Sequence, residues 1–369
     1  MKMKKHASLL FTSYQARKAK EQKTAFIQYA LSSAGELGYT STMENTKSGA
    51  RNVVIGDLNS ASVVFTAHYD TPAKSLVPDI IIPKIPFATT IYQIAVALLM
   101  LLPSALLFFI GASVLPMIGI PASISVLVAL VLAAAAFVGS LYLVICGPAC
   151  SNNANANTSG VATLFEIMTA LPAELRSMVA FVFFDAQQDG CIGSAEFVKN
   201  HKRAGLGKKL FVNFDCVGVG DNFVVAYKRG ADKFVTALER AFDSDGKISA
   251  EVLSGGKKIP SDHNSFKCGV GVTAFKKHSS GILYISGMNS DSDTTCQEEN
   301  IAYLTSRALK LVNYIKNPSA MAEAPSIDTV KEEAIPEPKA TEAAEPTEAT
   351  ETAEARETAE VADTEEASV

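Results

Sequence analysis

Between residues 85 and 165 the chain runs for 81 residues without an Asp, Glu, Lys or Arg. Two stretches within that block, 87–113 and 122–146, each exceed the roughly 20 residues that a helix needs to cross a ~30 Å hydrocarbon layer. The eight residues between them contain Pro116, Gly119 and Pro121, a tight-turn composition. The pattern predicts a helical hairpin with both ends on one side of a membrane. Pro103 inside the first stretch fits this reading, because membrane helices tolerate proline better than soluble ones do. A buried pair of core helices would be the soluble alternative, and two uncharged runs of this length argue against it.

Outside the block the periodicity is that of an α/β domain. Residues 21–38 place Phe26, Ala30, Ser33 and Leu37 at helical spacing before Gly38. Strand-like runs follow at 51–56 and 62–67. Beyond the hairpin, 159–171, 193–203, 232–242 and 297–315 predict helices. Strands are predicted at 178–184, 209–214, 222–227, 270–275 and 281–285. The run at 178–184 is continuously apolar, as in strands covered on both faces. This alternation predicts a three-layer α/β sandwich with a largely parallel central sheet, interrupted by the two-helix transmembrane hairpin. The expected units are 1–84 with 147–318 as the α/β domain, 85–146 as the inserted hairpin, and 319–369 as a tail.

Charge sharpens the division. The 369-residue chain has a formal net charge of −5. That average hides a tail from 319 onward carrying −12 and a body carrying +7. The tail repeats Glu at 345, 348, 351, 354, 357 and 360 among Ala, Thr and Pro. It offers too little apolar surface to offset its ordering entropy, so disorder is expected. Lys74, Lys84 and the basic N-terminus flank the hairpin, while the turn 114–121 has no positive charge. The positive-inside rule then places the domain and tail in the cytoplasm, and the protein in the cell membrane with two spans. Met1-Lys2-Met3-Lys4-Lys5 is followed by no apolar core before Arg17, so no signal peptide is expected. Six scattered cysteines suggest reduced thiols and no disulfide framework.

In parallel α/β sheets the chemistry collects past the carboxyl ends of strands. His68-Tyr69-Asp70 ends the second predicted strand. A ligating imidazole often gives its second N–H to a carboxylate, so this pair could be a metal ligand and its support. A solvated histidine beside a turn aspartate would give the same spacing. Polar clusters also occur at Asn153–Ala162, Phe184–Ser194, Val212–Gly218, Ser261–Phe266 and Met288–Thr294. His201 and His278 sit among lysines, and His6 lies in the basic N-terminus. The first two read as solvated.

In order, these clusters resemble the motifs of the zinc exopeptidases of metallopeptidase family 28: H-x-D, G-A-D-D-N-x-S-G-V-A, F-x-D-A-E-E-x-G-x-x-G-S, N-x-D-x-x-G, S-D-H-x-x-F and H-T-x-x-D-T. The family includes leucyl aminopeptidases, with glutaminyl cyclase as a relative. The resemblance spans about residues 24–316, and the hairpin falls between the first two motifs. It implies two zinc ions and a general-base glutamate. By this match His68 and Asp215 stand at ligand positions and Asp70 at the supporting one. The bridging ligand is replaced by Asn155, the general base by Gln187, the adjacent ligand by Gln188 and the late histidine by Asn289. Asp262 and His263 are placed at the cleft rim.

Each replacement is a neutral amide. Zinc prefers imidazole, thiolate and carboxylate donors, and Gln187 cannot take up a proton near neutral pH as a general base must. The amides nearly preserve the size of what they replace, so a cleft could persist without metal. The expectation is a membrane-anchored pseudo-peptidase acting as a binding or scaffold module for peptides or protein N-termini. No cofactor is expected unless zinc still occupies the site, and nucleic acid is not an expected partner. The enzyme alternative is a divergent zinc metallo-aminopeptidase. A third reading makes the hairpin and tail a membrane interaction module on a passive core.

Overall fold

The computed structural model describes residues 5–319 apart from 76, 78, 86, 256–258 and 260. From 320 onward, the acidic tail expected to be disordered lies outside the described residues.

The strands are β1 (Ser41–Asn45), β2 (Arg51–Ile55), β3 (Val63–His68), β4 (Asp79–Ile81), β5 (Val179–Phe184), β6 (Leu210–Phe214), β7 (Asn222–Tyr227), β8 (Ser249–Ser254), β9 (Gly269–Lys277) and β10 (Leu283–Met288). At the centre β5, β3, β6 and β9 lie side by side and parallel. Antiparallel pairs of β1 with β2 and β2 with β5 extend one side, and β7 pairs antiparallel with β9 on the other. The predicted parallel core is present, and its flanks make the sheet as a whole mixed.

The alternation of side chains along the central strands creates two buried faces. Val63, Phe65 and Ala67 of β3, Phe181 and Phe183 of β5, and Val212 and Phe214 of β6 join one core. That core is completed by α1 (Lys5–Ser13), α2 (Lys20–Glu36), α5 (Ser159–Ala170), α7 (Val235–Ala241) and α8 (Glu298–Lys316). Val64, Val182, Phe184 and Phe211 face the other way, against Phe197 of α6 (Ile192–Asn200) and Phe266. Helices on both faces of one sheet make the expected three layers.

The hairpin is α3 (Ala88–Met117) and α4 (Ala122–Cys146). The first helix runs past the predicted stop at 113 and absorbs Pro116, shortening the turn. The most apolar 18 residues of each helix have a mean hydropathy of 2.6, and only 6% and 11% of those residues are buried. Core helices would be covered, whereas Leu98, Leu102, Phe109, Val131 and Val138 all stand open to the surroundings. The two helices are therefore long and apolar enough to cross a membrane. They pack closely at Gly111, where an added Cβ would lie 3.0 Å from that of Ala129.

The hairpin's root is tied into the domain. Ala73 bridges Ala149, the Lys74 N–H donates to Pro148 O at 2.8 Å, and the Cys150 N–H donates to Pro72 O at 3.2 Å. Just before α3, β4 pairs antiparallel with β10, with Ile81 opposite Ile285 and Asp79 opposite Met288.

Candidate functional site

β3, β5 and β6 end together because they are parallel and in register, with His68 opposite Phe184 and Thr66 opposite Asn213. Their carboxyl ends therefore bring His68 and Asp70, Asp185 to Gln188, and Asp215 to one place. His68 is 1% exposed and lies between two carboxylates. Its Nδ1 is 3.4 Å from Asp70 Oδ1 and 3.1 Å from the Asp70 carbonyl, and its Nε2 is 3.5 Å from Asp215 Oδ1. Burial disfavours the imidazolium, but the bonds and charges of Asp215 and Asp70 outweigh it and raise the His68 pKa to about 10. Burial raises both carboxylates as well, yet the pairing with His68 holds each below its ordinary value.

Hydrogen bonds within the fold hold several of the neighbouring groups. Asp70 accepts the backbone N–H of Gln187 at 3.0 Å on one oxygen and that of Gln188 at 3.1 Å on the other. The second oxygen of Asp215 accepts the Ser261 hydroxyl at 2.5 Å, and Ser261 accepts from the Asn213 amide at 2.9 Å. Asn155 turns its Oδ1 to the Gly218 N–H at 2.7 Å. Its loop is held by Asp293, whose oxygens accept the N–H groups of Asn155 and Ala156 at 2.7 and 2.9 Å. Burial nevertheless raises Asp293 to about 6. Asn289 donates through Nδ2 to Asp79 Oδ2 at 2.6 Å. Gln188 is exposed.

Asp262 and His263, expected at a rim, are fully buried. They open a 3-10 turn, Asp262–Ser265, packed against β9. Gly271 of β9 makes the room, since a Cβ there would lie 2.6 Å from the His263 ring. Burial lifts Asp262 to about 7, although the charge of His68 and the Ser194 hydroxyl oppose the shift.

Two cations at the site have no local sequence signal. Arg17, in the loop after α1, is fully buried and donates to the carbonyls of Tyr69 and Tyr14 and, at 3.1 Å, to the Thr158 hydroxyl. Burial lowers its pKa to about 10, against the pull of Asp70, so it stays charged at neutral pH. Lys23 of α2 pairs with Asp185 at 2.5 Å, and its charge also lowers the Asp70 pKa. Their partners lie far along the chain, which is why local motifs do not reveal them. Of the two histidines read as solvated, His201 and His278, only His278 is exposed. His201 pairs with Glu44 at 2.8 Å, and His6 stacks on Phe165.

Among the described residues no group of three or more His, Cys, Asp or Glu could hold a metal ion. His68 and Asp215 supply two donors where zinc wants four. The amide oxygen of Asn155 and the amide N–H of Asn289 are committed elsewhere.

The Peptidase family M28 model matches residues 140–300. Among solved structures the chain is similar to LapB from Legionella pneumophila, with 12% identity, a TM-score of 0.51 and coverage of 84% of this chain and 70% of that one. It is also similar to the Legionella pneumophila LapA aminopeptidase, with 12% identity, a TM-score of 0.50 and coverage of 84% and 69%. No curated protein matches the chain. The fold is that of the exopeptidases whose motifs the sequence resembles.

Proposed function

We propose that this chain is a membrane-anchored, aminopeptidase-like protein that binds without hydrolysing, with its α/β domain at the cytoplasmic face. One observation carries the reading: cations of the protein itself stand against the carboxylates at the strand ends. His68, Arg17 and Lys23 face Asp70, Asp215 and Asp185, where the family resemblance calls for metal. The four positions that would supply further ligands and the base hold neutral amides, and two of those side chains, Asn155 and Asn289, are bonded within the fold. Peptide or protein N-termini remain the ligand class, the one that the resemblance to aminopeptidases implies. The hydropathy and exposure of α3 and α4 support the anchor.

One feature favours a second reading. Asp262, raised to about 7, has the pKa suited to a general base at neutral pH, so a divergent hydrolase could use it.

The test combines metal content with activity. The full-length protein is purified, dialysed against zinc and assayed on aminoacyl-nitroanilides beside Asp262→Asn and the quadruple variant Asn155→Asp, Gln187→Glu, Gln188→Glu, Asn289→His. The proposal expects no stoichiometric zinc and no hydrolysis in the wild type, and gain of zinc in the quadruple variant. Zinc-dependent hydrolysis by the wild type that is lost in His68→Ala would overturn it, and loss in Asp262→Asn would identify the base of the second reading.

A further inference from the structure

The strand register fixes which end of the domain lies beside the hairpin. β4 runs antiparallel to β10, so it leaves the sheet, at Ile81 opposite Ile285, toward the residues where β10 begins. α3 starts at that exit, because the Ile82 N–H donates to the Thr89 hydroxyl at 3.0 Å. β10 begins out of the turn that follows β9, with Leu283 opposite Lys277 and Tyr284 opposite Lys276. The β9–β10 turn therefore projects at the end of the fold from which the apolar hairpin leaves.

The composition of that turn suits a membrane surface. Every residue from Lys276 to Ile282 is exposed, and the sequence Lys-Lys-His-Ser-Ser-Gly-Ile contains no acidic side chain. Ile282 presents a large apolar side chain, 38% exposed, beside the two lysines. The other lysines at the root are already occupied, Lys84 by Glu251 and Lys74 by Asp291. Among the described residues Lys276 and Lys277 form no ion pair, so their charge is available to an outside partner. Lysines with an adjoining apolar side chain form the usual contact with an anionic bilayer surface, each lysine favouring it roughly fivefold.

We propose that the β9–β10 turn docks on anionic lipid headgroups of the membrane that holds α3 and α4. The inference rests on the anchoring reading. The contact would fix the tilt of the domain and hold β10, whose far end adjoins Asn289, at the membrane surface.

The chain contains no tryptophan, so one introduced indole reports its own surroundings. Full-length Ile282→Trp is reconstituted in nanodiscs of phosphatidylcholine alone or with phosphatidylserine, with and without brominated acyl chains. Phe137→Trp in α4 serves as the control for anchoring. The expected result for the indole in the turn is a blue shift and bromine quenching in the anionic discs only, reversed by high salt and by adding Lys276→Glu and Lys277→Glu. The indole in α4 should be quenched in all discs. A solvent-like turn indole in anionic discs, beside a quenched α4 indole, overturns the docking and leaves the anchor standing. An unquenched α4 indole overturns the anchor and the docking with it. Blue shift and quenching of the turn indole that are equal in neutral discs and insensitive to salt also overturn the headgroup contact.

Discussion

Asn289 gives its side-chain N–H to Asp79 at 2.6 Å, tying the loop that carries the last sequence motif to the strand that leads into α3. Burial raises the Asp79 carboxyl and the bond to Asn289 counters it. Hydrogen bonds to charged groups contribute about 1.5–3 kcal/mol. Asn289→Ala is expected to lower stability by about that amount, read from denaturation of the detergent-solubilised protein. An unchanged midpoint would show that this bond adds nothing to the other ties at the root.

The His68 imidazole should remain charged well above neutrality. Its folded pKa of about 10 lies above the ordinary 6.5, so the folded state binds the extra proton between those values. The stability from the Asp70–His68–Asp215 arrangement is therefore complete below about pH 6.5 and is lost as pH rises toward 10. Thermal unfolding should fall across that window, and His68→Gln should remove the part of the slope above pH 7. The part below it overlaps the titration of Asp262 near 7. NMR of the ring should show both nitrogens protonated at pH 8, and a neutral ring there would refute the assignment.

Arg17 is a buried charge that serves three segments, contacting the Tyr14 and Tyr69 carbonyls and the hydroxyl of Thr158 just before α5. Removing one partner of a buried charged network costs about 3–5 kcal/mol. Arg17→Met should destabilise by that order, whereas Arg17→Met with Asp70→Asn should recover part of the loss. Equal loss in the single and double variants would show that the two charges are not coupled.

The start of α5 approaches the end of β6 so closely that only glycine fits at residue 160. A Cβ there would lie 2.4 Å from the Phe214 carbonyl oxygen and 2.5 Å from the Asn157 amide oxygen. Gly160→Ala should cost about 1–3 kcal/mol, as overpacking does. It should also broaden the NMR signals of residues 155–159 if these are followed, while Gly207→Ala, with 3.7 Å to its nearest neighbour, should be silent.

Most of the architecture was legible because it rests on strong periodicities. The strand Asn222–Tyr227 and the helix Ala122–Cys146 begin and end where the pattern places them. The strands that escaped are those without an apolar signature. β1 is mostly exposed, β8 alternates with polar residues, and β4 has three residues in a proline-containing segment. At the site, His68, Asp70 and Asp215 were readable because each ends a strand within a motif. Arg17 and Lys23 were not, since what makes them part of the site is a partner brought near only by folding. The burial of Asp262 and His263 depends on Gly271 of a different element, and a motif carries no such information.

The position of the hairpin between β3 and β5 also governs how the protein can be made. β3 leaves the ribosome before α3 and α4, and both of its sheet neighbours, β5 and β6, leave after them. If α3 and α4 insert in a bilayer as proposed, translation must deliver the span before the central sheet can close. The first segment then waits at the membrane surface with Val63, Phe65 and Ala67 uncovered. A chain that fails to insert strands this apolar strand beside two helices in water, so insertion and folding would succeed or fail together.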